Sequence, residues 1–155
     1  MPSQPSPNAW LGAVLVAFQF TFMGLLAGLA LAGLRSRPMP PDAALSALGA
    51  VLLGLWALSA NRPGNFNIRP TPRPGGRLVQ HGPYRWIRHP MYSAVLLAGL
   101  ATARMAQGPA AWVVLAALAA VLLVKAGLEE RALGALHPGY ADYVRRTRRF
   151  IPGLF

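Results

Sequence analysis

A chain of 155 residues suits one compact unit and is too short for two ordinary domains. It is 54% hydrophobic and 12% charged, too poor in charge for a soluble domain, and it has no cysteine; disulfides, thiolate nucleophiles and cysteine-based zinc sites are therefore excluded. A net charge of +11 would suit nucleic acid, but the basic residues fall between apolar runs and form no soluble basic face, so no nucleic-acid partner is expected.

Residues 1–9 are polar and proline-bearing and read as a frayed tail. Trp10 to Leu34 follows with twenty-five residues and no charge, and Ala43 to Ala60 adds eighteen. A bilayer core needs roughly 20 apolar residues per helical span, so both are predicted to cross. The first is not expected to be a cleavable signal, because it lacks a basic leader and is too long for a signal's apolar region. Neither span carries an ionisable residue, and Gly24, Gly28, Gly33, Gly49 and Gly54 suit close helix packing in lipid. They read as scaffold. Between them "RSRPMPPD" is a short turn in which Pro40, Pro41 and Asp42 form a helix-start signal.

The stretch 61–81, "NRPGNFNIRPTPRPGGRLVQH", holds four prolines and three glycines and cannot form a long helix. It reads either as a solvated loop over anionic lipid or as a lid leading into "GPYRWIRHPMY" at 82–92. Met91 to Ala103 is apolar for only thirteen residues before Arg104. With Pro90 in its first turn and Arg104 snorkelling outward, this third segment still crosses. Pro109 to Leu128 supplies twenty more, interrupted by Lys125.

The turn "AQGPA" at 106–110 is so short that the third and fourth spans must be antiparallel neighbours. Residues near 90 and near 129 then share one membrane face. Beyond Leu128 the helix leaves the lipid, "HPGY" breaks it, and "ADYVRRTRR" is predicted as a short basic helix before Phe150, Ile151, Leu154 and Phe155, which are expected on the bilayer surface.

The expected fold is an all-α integral membrane protein of about four spans with a C-terminal helical hairpin. Residues 1–60 make the tail and scaffold helices, and 61–155 the functional unit. Six basic residues lie in 61–90 and six from Lys125 onward, so twelve of fifteen are inside if that face is cytoplasmic. Both termini are then cytoplasmic. Fourteen arginines to one lysine, with abundant Ala, Leu and Gly, point to a GC-rich bacterium and hence its inner membrane.

Two of the four acidic residues are adjacent, Glu129 and Glu130, where the fourth span leaves the lipid. Carboxylates at that depth usually answer to a cation. Lys125, one turn earlier on the same helix face, could pair with Glu129, and Arg88 could pair with Glu130. Alternatively, a carboxylate binds a polar or cationic ligand, with Tyr84, Arg88, His89 and Tyr92 opposite. His81, His89 and His137 make no H-x-x-x-H or E-x-x-H pair, so no metal is expected. Ser93 lacks a nucleophile-elbow context, and Gly75-Gly76 reads as a turn.

"LVQHGPYRWIRHPMY" (78–92) and "EERALGALHPGYADYVRRTRRFIP" (129–152) together resemble the isoprenylcysteine carboxyl methyltransferases and related membrane phospholipid methyltransferases. The shared pattern is L-V-x-x-G-x-Y-x-x-x-R-H-P-x-Y, then E-E, then a Tyr-x-x-Tyr segment near a proline, and it covers residues 76–152. The resemblance implies S-adenosylmethionine in a cytoplasmic-side pocket and a lipophilic small molecule or lipid as methyl acceptor. Gly76, Arg77, Leu78 and Val79 would line the cofactor through backbone. Tyr84, His89, Pro90, Met91 and Tyr92 would complete the pocket, with Glu129 and Glu130 as its opposite wall. Lys125, where the prenylcysteine enzymes have an arginine, would face the acceptor, and Arg88 would be catalytic with it.

There are departures: Ala94 stands where glycine is common, the interval from Glu130 to Tyr140 is one residue shorter, and Lys125 cannot grip a carboxylate in bidentate fashion. The acceptor could thus be a lipophilic acid, amine, phenol or thiol. Two other readings compete. A sterol-reductase-type enzyme would bind NADPH, but should carry an acidic residue just after the motif tyrosine and an Asp-Glu pair, where this chain has Ser93-Ala94-Val95 and Glu129-Glu130. A non-enzymatic scaffold would bind anionic lipid through the basic loops.

Overall fold

A computed structural model describes residues 9–61 and 76–154. The expected tail at 1–8, most of the 61–81 loop with its proposed lid, and Phe155 lie outside the described residues. The elements in chain order are α1 (Ala9–Leu34), α2 (Pro41–Ala60), a 3-10 turn (Gly82–Arg85), α3 (Pro90–Ala106), α4 (Pro109–Leu136) and α5 (Tyr140–Arg146).

Three helices, α1, α2 and α4, are long and apolar enough to span a bilayer. Only 22–28% of each apolar window is buried within the protein, and Phe18, Leu31, Leu55 and Val113 face outward. In water that surface would be a large exposed apolar patch; in lipid it is the expected face. The shorter α3, 17 residues, packs against α1, α2 and α4. It can sit there because its inward positions are small: Ser93, Ala94, Gly99, Ala101 and Ala103 are buried. A core of Leu26, Ala103, Ala111, Leu118 and Leu122 joins α1, α3 and α4.

The glycines divide. A Cβ at Gly33 would collide with the Met105 carbonyl, so here α1 and α3 touch backbone to backbone, and Gly54 meets Ala94 at ordinary contact distance. Gly24 and Gly28, expected to mediate packing, have open space where a Cβ would stand. They lie on a face of α1 that no neighbouring helix covers, which composition alone does not distinguish.

Pro40 caps α2 with Pro41 in its first turn and Asp42 beside it, as the start signal predicts. The α3–α4 connection is two residues, Gln107 in a left-handed conformation (φ 54°) and Gly108. At this far end Arg104 pairs with Asp42 at 2.5 Å, and Arg37 donates to the Gln107 side chain at 2.9 Å.

Two expectations for the C-terminal region are corrected. The basic helix stops at Arg146. Thr147 is extended, and residues 147–150 run beside 86–89: Arg88 N donates to Arg148 O at 2.8 Å, Arg148 N to Trp86 O at 2.9 Å and His89 N to Arg149 O at 3.1 Å. Both segments have backbone groups that must find partners, and pairing with each other wins over another helical turn. This strap also carries Phe150 away from the bilayer surface and buries it against His89 and Tyr92. Ile151 and Leu154 remain exposed.

Candidate active site

The chain enters the site through Gly82, whose φ of +60° and tight fit over Ala60 exclude a side chain. The Gly82–Arg85 turn then directs Ile87 inward, and His89 caps α3 with Pro90 at its first position. His89 stacks on Tyr92 (5.2 Å between centroids, 6° between planes), and Phe150 meets both rings edge-on.

The two adjacent glutamates of α4 have different surroundings. Glu130 is enclosed: Oε1 accepts from Arg88 Nε at 2.8 Å and from Arg149 Nε at 3.1 Å, with His89 Nε2 also at 3.1 Å. Oε2 accepts from Arg149 Nη2 at 2.6 Å. Arg88 in turn donates to Thr147 O at 2.7 Å, tying the strap to the same cluster. Glu129 is more open, its side chain 30% exposed against 13% for Glu130. Its Oε2 accepts from Tyr92 OH at 3.1 Å and lies 3.6 Å from His89 Nδ1. Its Oε1 has no partner among the described residues. His89 therefore sits between the carboxylates, its Nε2 at hydrogen-bond distance from Glu130 Oε1 and its Nδ1 farther, 3.6 Å, from Glu129 Oε2.

A group of buried phenols flanks this cluster. Tyr143 OH donates to the Tyr84 carbonyl at 2.8 Å. Burial, with the charge of Glu129 adding to it, pushes the Tyr84 phenol up to about 12, against an opposing hydrogen bond with Asn61. Burial also raises Tyr140 and Tyr143 above the ordinary tyrosine range. Raised in this way, the phenols stay neutral, and Tyr143 is the one of the three seen to donate. The Tyr140 hydroxyl is buried without a hydrogen-bond partner among the described residues.

Of the residues singled out in the sequence, Arg88, His89, Tyr92, Glu129 and Glu130 are brought into one network. Lys125 joins through the Tyr92 ring, whose centroid is 5.2 Å from Nζ. Its hydrogen bond goes not to Glu129 but to Gln19 Oε1 on α1. Pro90 is buried under the network and Met91 half-buried beside it. Gly76, Leu78 and Val79 are half-buried and Arg77 exposed, in an irregular run before the turn. Sequence reasoning missed Gln19, Tyr140, Thr147 and Arg149. For Arg149 the sequence offered no local signal, since it lies 19 residues beyond Glu130.

The Isoprenylcysteine carboxyl methyltransferase (ICMT) family model matches residues 44–135, from α2 through both glutamates. The chain belongs to this family. Among curated proteins, this ICMT-family chain is similar to the cobalt-zinc-cadmium resistance protein CzcN of Cupriavidus metallidurans, 40% identical over 84 residues. That alignment covers 53% of the chain and 38% of the relative, so the chain spans well under two thirds of the protein it matches. The ICMT match includes the "RHPMY" segment and ends before α5, so the Thr147–Phe150 strap lies beyond it.

Proposed function

We propose that this protein transfers a methyl group from S-adenosylmethionine to a lipophilic acceptor at the cytoplasmic boundary of a bacterial inner membrane. The observation that carries the reading is the open carboxylate of Glu129, held by Tyr92 and next to His89, with one oxygen unpartnered among the described residues. The orphaned Tyr140 hydroxyl and the His89–Tyr92 stack supply the remaining chemistry that a cation with hydroxyl-bearing groups needs. When bound, S-adenosylmethionine supplies an electrophilic methyl on a sulfonium.

Methyl transfer to a carboxylate moves no proton, and an amine, phenol or thiol must also release one to water, so the chain's residues act chiefly by positioning. Glu129 offers its spare oxygen to a hydroxyl or ammonium. Tyr92 fixes that carboxylate through its phenol. His89 and Phe150 pack the Tyr92 ring in one orientation, and Glu130, clamped by Arg88 and Arg149, holds α4 against the motif. Glu130 therefore supports the pocket wall, and Glu129 binds. Gly76 to Val79 and Met91 complete the pocket on this reading, and Lys125 faces the acceptor. The acceptor, a lipophilic acid, amine, phenol or thiol, reaches the site from the bilayer.

The Cupriavidus relative is named for cobalt, zinc and cadmium resistance. Here His89, Glu129 and Glu130 adjoin, but Glu130 is bonded by two guanidinium groups, which favours methyl transfer over metal handling. The test is calorimetry of detergent-purified protein with S-adenosylmethionine, its demethylated product and NADPH. Binding of the first two is expected, with Glu129→Gln weakening both at least about tenfold and leaving the unfolding midpoint almost unchanged. Binding of NADPH alone, or of none of the three, would overturn the proposal.

A further inference from the structure

A cavity of about 420 Å³ lies at the far end of the bundle, opposite the motif. Its wall joins three segments: Pro40 before α2, Arg104 and Gln107 at the end of α3, and Gly108 and Trp112 at the start of α4. Arg104 gives its Nε to Asp42, and its two terminal nitrogens have no partner among the described residues. The Gln107 side-chain oxygen accepts from Arg37, which leaves the amide nitrogen of Gln107 without a partner among those residues. The uncommitted side-chain groups on this wall, the Trp112 indole N–H included, are therefore all donors. A wall of donors suits an anion.

The charge at this end agrees. The α1–α2 connection and the last turn of α3 hold three arginines, Arg35, Arg37 and Arg104, against one acid, Asp42. Depth narrows the choice of anion. Both α2 and α4 are long enough to span, and α3, which joins them and packs along both, crosses with them. Its 17 residues reach about 25 Å at 1.5 Å per residue, short of a hydrocarbon layer of about 30 Å. A span too short for its bilayer thins the layer around it and draws headgroups inward. Phospholipid phosphates are thereby brought to the level of Arg104. Trp112, 43% exposed near the start of α4, offers its ring to the glycerol region beside them.

We propose that this cavity seats the phosphate of an anionic phospholipid from the leaflet at the far end. Arg104 is its main contact, and Gln107, held in place by Arg37, lies beside it. The site lies at the opposite end of α3 from His89 and does not depend on the methyl-transfer reading. The Arg104–Asp42 pair is exposed and contributes little to stability, so Arg104 can be replaced without unfolding the bundle.

The test is native mass spectrometry of the full chain released from neutral micelles and titrated with dioleoylphosphatidylglycerol. One lipid is expected to bind ahead of all others. Arg104→Ala should weaken that first step about tenfold, and Asp42→Asn, which frees the Arg104 Nε, should tighten it. Arg145→Ala removes the same charge from exposed α5 at the motif end and should leave the first step unchanged. Neither dioleoylphosphatidylcholine nor inorganic phosphate should displace the lipid. Equal weakening by Arg104→Ala and Arg145→Ala would reduce the effect to general charge attraction and overturn the site. An unchanged first step in Arg104→Ala, a weaker one in Asp42→Asn, or displacement by either competitor would overturn it as well.

Discussion

The two ends of the helical bundle are held together differently. At the far end, where α1 meets α2 and α3 meets α4, two solvent-facing links do the work: Arg104 to Asp42 and Arg37 to Gln107. At the motif end a buried cluster of Arg88, His89, Glu130 and Arg149 is fastened to a backbone strap. Exposed pairs contribute little because water screens them. Buried ones are costly to form and far costlier to break, since each leaves a desolvated partner unpaired. Among the described residues, the carboxylate–guanidinium cluster lies at the end that carries the candidate site. The far end is closed by short connections.

That contrast can be broken by experiment. Glu130→Ala removes the carboxylate that Arg88, Arg149 and His89 share and should cost about 3–5 kcal/mol, read from denaturant unfolding in mixed micelles. Gly82→Ala forces a Cβ to within 2.8 Å of the Ala60 Cβ at a left-handed φ; it should cost about 1–3 kcal/mol, with the loss seen first at the motif end by amide exchange. Arg104→Ala, at the far end, should leave the unfolding midpoint unchanged within error. If Arg104→Ala proved as damaging as Glu130→Ala, the two ends would not differ in the way described.

The spans, the α3–α4 hairpin and the meeting of "RHPMY" with the glutamate pair were legible in the sequence, because each follows from run length, a short turn or local spacing. The difference in surroundings between Glu129 and Glu130 was not. It depends on Arg149, which reaches Glu130 only because residues 147–150 leave the helix and pair with 86–89. Such pairing joins segments about sixty residues apart and leaves no periodic trace; a run of arginines after a tyrosine reads as helix. Gln19 was hidden for another reason. One amide in twenty-five uncharged residues is tolerated by a span in any orientation, and only the packing of α1 on α4 shows that it meets Lys125.

The two-residue link of Gln107 and Gly108 also bears on how the chain gets into the bilayer. The third helix, with 17 residues and an arginine near its end, is a poor insertion signal by itself. The fourth is long and strongly apolar. Joined with no slack, they cannot choose their orientations separately: the short third helix is held antiparallel beside the strongly apolar fourth. The segment that begins with the "RHP" motif is thus tied in position to the helix that bears its glutamate partners.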